Sequence, residues 1–227
     1  MDKTKALMLA LLLSMSGGCF AQQTSNYDIA TEYVHDLAEI SDIQAAAKRE
    51  ATQTKNPTQT LVNNIRTGTK IKLELQAAIG RLSSMTPAKV DQPSVDFLIG
   101  FYEAQIGHHD RLVAIGTELL SGPMPGVNYG ALMAEVPKIS ATLEAIDKSI
   151  FKLANLFFAL LVDLKPDRNG HASHLTITKT QRQTLIALIN NRFAASIDNK
   201  NPTWLVSGAW LMRSNLMKDF KSADEPW

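Results

Sequence analysis

Residues 132–164 read LMAEVPKISATLEAIDKSIFKLANLFFALLVDL, and the fold is decided by their spacing. Leu132, Val136, Ile139, Leu143, Ile146, Ile150, Leu153, Phe157, Leu160 and Leu164 recur at alternating intervals of four and three. That period keeps one face of a helix apolar. At 1.5 Å per residue the row spans about 50 Å, so the helices that cover it must also be long. An extended helical bundle is the expected architecture, with this rod at its centre. Pro137 lacks a backbone donor and obstructs the turn before it. The expected result is a kinked but continuous helix.

Working outward, the remaining segments carry the same kind of pattern. Asp28–Glu50 is helix-friendly, with Ala30, Tyr33 or Val34, Leu37 and Ile40 on one stripe, and the pair Asn56-Pro57 ends it and starts the next helix. That second helix is expected over Thr58–Met85, with Gly68 and Gly80 explained by close packing of a neighbour. Ser94 is the expected cap of a third helix, Val95–Leu120, whose apolar arc is broad enough for more than one neighbour. The run Ser121–Gly126 forces a bend; it has no lysine suited to a phosphate loop, and no strand precedes it. After a loop at Lys165–Gly170, a fifth helix begins near Thr178 or Thr180. A short last helix runs from Thr203 to Phe220. The tract His174–Thr178 suits a brief extended segment but is too isolated to establish a sheet. The predicted fold is all-α, an elongated antiparallel bundle of five or six helices.

The first residues read as a sorting signal. Lys3 and Lys5 precede the apolar run Ala6–Leu13, and small residues lead to Cys19 and Ala21. The expectation is cleavage after Ala21, leaving 22–227 as a single helical domain, in the periplasm or secreted. The alternative is lipoprotein processing with acylation at Cys19, although Ser16 occupies the position where a large aliphatic residue is usual. Membrane association is expected only through that acylation. Cys19 is the sole cysteine, so no internal disulfide can hold the body together. Loss of Asp2, Lys3 and Lys5 with the signal leaves the body formally neutral, and no dense basic block points to nucleic acid.

Candidate chemistry is sparse. Glu103, His108, His109 and Asp110 are the most reactive local cluster, although five- and six-residue separations do not stack them on a helix. His108, His171 and His174 form a candidate metal set if the loop holding Asp167 folds back. No Glu-x-x-His repetition supports a paired-metal site, and no cofactor is expected. Trp204, Trp210 and Trp227 are candidate partner-binding residues, the last at the end of a polar tail, Asp219–Pro226, expected to be loosely ordered. The leading expectation is a noncatalytic exported protein that binds another envelope protein or contributes to an envelope assembly. A metal-binding protein or hydrolase built on the histidine and carboxylate cluster is one alternative. A carrier of a small apolar ligand, with a pocket near Phe101, Phe151 and Phe158, is the other.

Overall fold

The computed structural model describes residues 23–122, 125–166, 172–197 and 204–226. Ser25 opens α1 (Asn26–Gln53) with a reciprocal cap: its hydroxyl accepts from the Asp28 amide at 3.2 Å, and the Asp28 carboxylate accepts from the Ser25 amide at 3.2 Å. Asn56 accepts from the Thr58 amide at 2.9 Å and starts α2 (Pro57–Ser83), with Pro57 in the first turn, where its missing donor costs nothing. The helix α3 spans Gln92–Leu120. It begins before the expected Ser94 cap because Pro93, like Pro57, fits a first turn. Asp91 holds the cap position without a side-chain bond.

Residues 132–164 do not make one rod. They form α4 (Tyr129–Lys148), α5 (Ile150–Leu161) and the strand β1 (Val162–Pro166). Pro137 lies inside α4, as a continuous helix through the proline requires. The interruption comes instead at Ser149, which serves as the C-cap of α4 and the N-cap of α5. Leu164, expected on the helical seam, falls in β1. That strand pairs antiparallel with β2 (Ala172–Leu175), Val162 opposite Leu175 and Asp163 opposite His174. The extended segment at His174 is therefore real and has a partner. Two more helices follow, α6 (Lys179–Ile197) and α7 (Trp204–Leu216). With α4 and α5 taken as one interrupted rod, six rods form an all-helical bundle carrying one small hairpin, among the described residues.

Burial places the centre elsewhere than the seam alone implied. Ile29, Ala30, Val34, Leu37 and Ile40 of α1 are almost completely shielded, as are Ile150, Leu153 and Leu161 of α5. They form the main core with the second half of α2, the first half of α3, α6 and α7. The seam does face inward, and Ile150, Leu153, Phe157 and Leu160 belong to this core. In α4, however, only Leu132 and Ile139 are buried, in a second, thinner core with Ile115 of α3. So α4 is a peripheral helix. It packs on α3 and touches α5 and α7, with no substantial contact to α1 or α2.

One polar cluster lies within the main core. Asp36 is fully shielded, receiving the Arg81 guanidinium at 2.5 Å and the Tyr102 hydroxyl at 3.1 Å. Arg81 also reaches Glu74 at 2.9 Å and Glu32. Burial pushes the Asp36 carboxyl up to about 6 against the opposing pull of Arg81, with Glu32 adding to the rise and Tyr102 countering it. Tyr33, also fully buried, keeps its hydroxyl without a hydrogen-bond partner among the described residues.

Candidate functional site

The outer halves of α2 and α3 run past the main core as an antiparallel pair, and two glycines set how closely they approach. A Cβ on Gly116 would stand 2.7 Å from Cγ1 of Ile65, and one on Gly68 would stand 3.0 Å from Cγ2 of Val113. Both are closer than ordinary contact, so these positions need glycine for space. On the far side of α3, Arg111 holds α4 through two parallel bonds to Glu135, at 2.8 and 2.7 Å. The three helices leave a trench with α3 as its floor. Its cavity is about 300 Å³, lined on α2 by Leu61, Ile65 and Ile71, on α3 by Leu112, Ile115 and Leu119, and on α4 by Val136. A fully closed four-helix arrangement would fill this space with a further contact between α4 and α1 or α2.

Four polar residues line the trench: Asn64 and Ser140, exposed at its mouth, and Thr67 and His109, half-buried. None makes a side-chain hydrogen bond among the described residues. Thr60 and Thr69 on α2, Thr117 on α3 and Thr142 on α4 behave differently, each turning its hydroxyl back to the carbonyl four residues earlier at 2.8–3.1 Å. His109 lies beside Gly68, and burial, helped by His108 and opposed by Asp110, lowers its imidazole to about 4. At neutral pH it is an uncharged ring with one donor and one acceptor. No Lys, Arg, Asp or Glu lines the cavity.

The other sequence candidates are dispersed. Glu103 is exposed, His108 is half-buried outside the cavity lining, and Asp110 is paired with Lys72 at 2.5 Å, so of that cluster His109 alone enters the trench. His174 is buried on β2, while His171 and Asp167 lie outside the described residues. No group of three or more His, Cys, Asp or Glu side chains suited to a metal ion occurs among the described residues. The aromatic trio has separate surroundings: Phe101 lies tilted against Tyr102 at 5.9 Å, Phe151 edge-on to Trp204 at 5.8 Å, and Phe158 edge-on to Phe220 at 5.4 Å. The apolar cavity is on the other half of α3.

Trp204 and Trp210 are each 37% exposed, and Lys148 sits over the Trp204 ring at 5.5 Å. Cys19 and Trp227 lie outside the described residues. The tail before Trp227 is tied down rather than loose. The Leu175 amide donates to the Lys221 carbonyl and the Ala223 amide to the Ile177 carbonyl, both at 2.8 Å, and Asp224 accepts from the Lys179 amide at 2.7 Å. Among the described residues no helix is long and apolar enough to cross a membrane. The chain matches no known family model, no curated protein and no solved structure.

Sequence reasoning treated Gly68 and Gly80 alike, yet a Cβ on Gly80 meets nothing within 4 Å. The signal that would have separated them is Gly116. It stands one turn from Leu112 on α3 and packs against Ile65 of α2, one turn from Gly68, so the two glycines share one close helix contact.

Proposed function

We propose that this is an exported, noncatalytic binding protein whose working surface is the trench between α2, α3 and α4, occupied by an apolar small molecule. The observation that carries this is the cavity of about 300 Å³ with a mainly apolar lining and four polar side chains that find no partner within the protein. Small-molecule sites have this composition, at the lower end of the usual size. Of the alternatives posed by the sequence, the carrier accounts for this feature and the envelope-partner reading does not. The hydrolase reading has no acid, base and nucleophile gathered in one concavity, since of its candidates only His109 enters the trench.

The test is titration of the full chain with N-phenyl-1-naphthylamine, a neutral apolar fluorophore. Saturable one-to-one binding is expected, abolished by Ser140→Trp, which fills the trench mouth, and retained in Lys138→Trp, an exposed change outside the lining. No saturable binding to the unsubstituted protein would sink the proposal.

The envelope-partner reading keeps one specific support, the exposed Phe151–Trp204 pair with Lys148 above it. It predicts a specific in-cell crosslinked adduct lost in Trp204→Ala. An adduct unchanged by that substitution removes the surface. For export, the mature N-terminus decides between Ala21 cleavage and Cys19 acylation, read by intact mass.

A further inference from the structure

The trench reading, if granted, also constrains the head group of the ligand. We infer that the trench takes an uncharged amphiphile, an extended hydrocarbon chain ending in a hydroxyl or carbonyl, in preference to an ionised fatty acid. The chain portion follows from the shape. Leu61 to Ile71 on α2 and His109 to Leu119 on α3 each cover ten residue steps, about 15 Å of apolar wall at 1.5 Å per residue.

The head-group preference follows from the charges around the trench. Its lining holds no cation, so a carboxylate entering it would lose water and meet no counter-ion. Three cations of these helices have other partners, Lys72 with Asp110, Arg111 with Glu135 and Glu118, and Arg66 with Glu50, while Lys70 and Lys138 are exposed and outside the lining. The trench offers neutral donors and acceptors instead, from Thr67, Asn64, Ser140 and the imidazole of His109. A hydroxyl can donate to one of these and accept from another, which satisfies both sides; an ionised carboxylate only accepts.

The experiment is displacement of bound N-phenyl-1-naphthylamine from the full chain at neutral pH by decanol and by decanoate. It is repeated in Thr67→Val and His109→Phe, which preserve shape and remove the polar atoms. Decanol is expected to displace the fluorophore at roughly a tenfold lower concentration than decanoate. Both variants are expected to keep the parent's helical circular dichroism, which shows that they are folded, while losing most of the preference for the alcohol. Decanoate displacing as well as or better than decanol overturns the head-group inference and leaves the trench reading standing. A preference undiminished in both variants also overturns it. Failure of the fluorophore to bind the unsubstituted protein, or of both chains to displace it, overturns the trench reading and this inference together.

Discussion

Two buried titratable side chains pull the pH dependence of stability in opposite directions. Asp36 is held near 6 in the fold against about 4 in an unfolded chain, so between those values the folded state binds a proton that the unfolded state has released. Its contribution is fully present below pH 4 and is lost as pH rises through 6. Asp147, also pushed up to about 6 by burial and by Glu144, acts in the same sense. His109 is held near 4 against its ordinary 6.5, so the unfolded state takes the extra proton, and its contribution is present above 6.5 and lost as pH falls toward 4. Asp36→Asn is therefore expected to make stability fall less from pH 4 to 6, by up to about 3 kcal/mol relative to the parent. His109→Gln, which removes the one opposing contribution, is expected to make that fall steeper. Urea unfolding at pH 4.5 and 6.5 measures both, and parallel slopes in all three proteins would contradict the assignment. The glycines divide in a similar way. Gly116→Ala should cost about 1–3 kcal/mol, because the new Cβ would be 2.7 Å from Ile65, despite alanine's better helix propensity. Gly80→Ala, exposed and with nothing within 4 Å, should gain about 1 kcal/mol in the same assay.

At the scale of elements, the C-terminal segment is a strap held by one guanidinium. Arg182 of α6 donates to the carbonyls of Leu216 at 2.6 Å and Phe220 at 2.7 Å, and to that of Lys218 as well. Leu216 is the last residue of α7, whose carbonyl the helix leaves without a partner, and the other two lie in the segment just beyond it, so a cation there meets both hydrogen-bonding need and dipole. Arg182→Met keeps the aliphatic stem and removes the donors. It is expected to cost about 2–4 kcal/mol by thermal or urea unfolding, and a change below about 0.5 kcal/mol would show that the strap holds without it. Removing residues 221–227 should destabilise as much or more, because Ser222 is fully buried and the backbone at Lys221 and Ala223 pairs with Leu175 and Ile177. The helices themselves were legible because apolar periodicity and end signals are local: Ser25 with Asp28, and Asn56 with Pro57, specify starts without reference to the rest of the chain. The strap and the hairpin were not legible. The strap's bonds join Leu175 and Ile177 to residues more than forty positions away, the hairpin needs β1 to leave the helical seam and meet β2, and a polar composition in Asp219–Pro226 says nothing about which backbone groups will meet. The break at Ser149 was also hidden, since Ile146, Ile150 and Leu153 keep helical spacing across it and a single-residue interruption leaves the period intact.

At the scale of the molecule, the seam identified a buried row correctly but misplaced the centre, because periodicity reports which face is apolar and not how many neighbours cover it. Ile150, Leu153 and Phe157 lie in the large core, whereas Val136, Leu143 and Ile146, in the same row, are only half-buried along α4. The bundle therefore has unequal halves. One is a thick core from six helices and the hairpin; the other is the outer α2–α3 pair with α4 resting on it, closed by Leu132, Ile139 and Ile115. Local opening follows buried apolar contact, so α4 should open by a cheaper route than global unfolding. Met133, 57% exposed on α4, shows how little of that helix is covered. Hydrogen exchange read by mass spectrometry is expected to show residues 129–148 exchanging well before residues 29–40 and 150–161, under conditions where the whole chain stays folded. On the proposed reading, occupation of the trench would link the same motion to binding, because a ligand would touch Val136 and Ser140 only while α4 is seated. A bound neutral amphiphile should therefore slow exchange in residues 129–148 and leave the α1 and α5 amides unchanged. Equal protection of α4 and α1 in the free protein would mean that the two halves unfold as one unit. Ligand protection spread evenly over both would mean that the occupant does not sit between α4 and its neighbours.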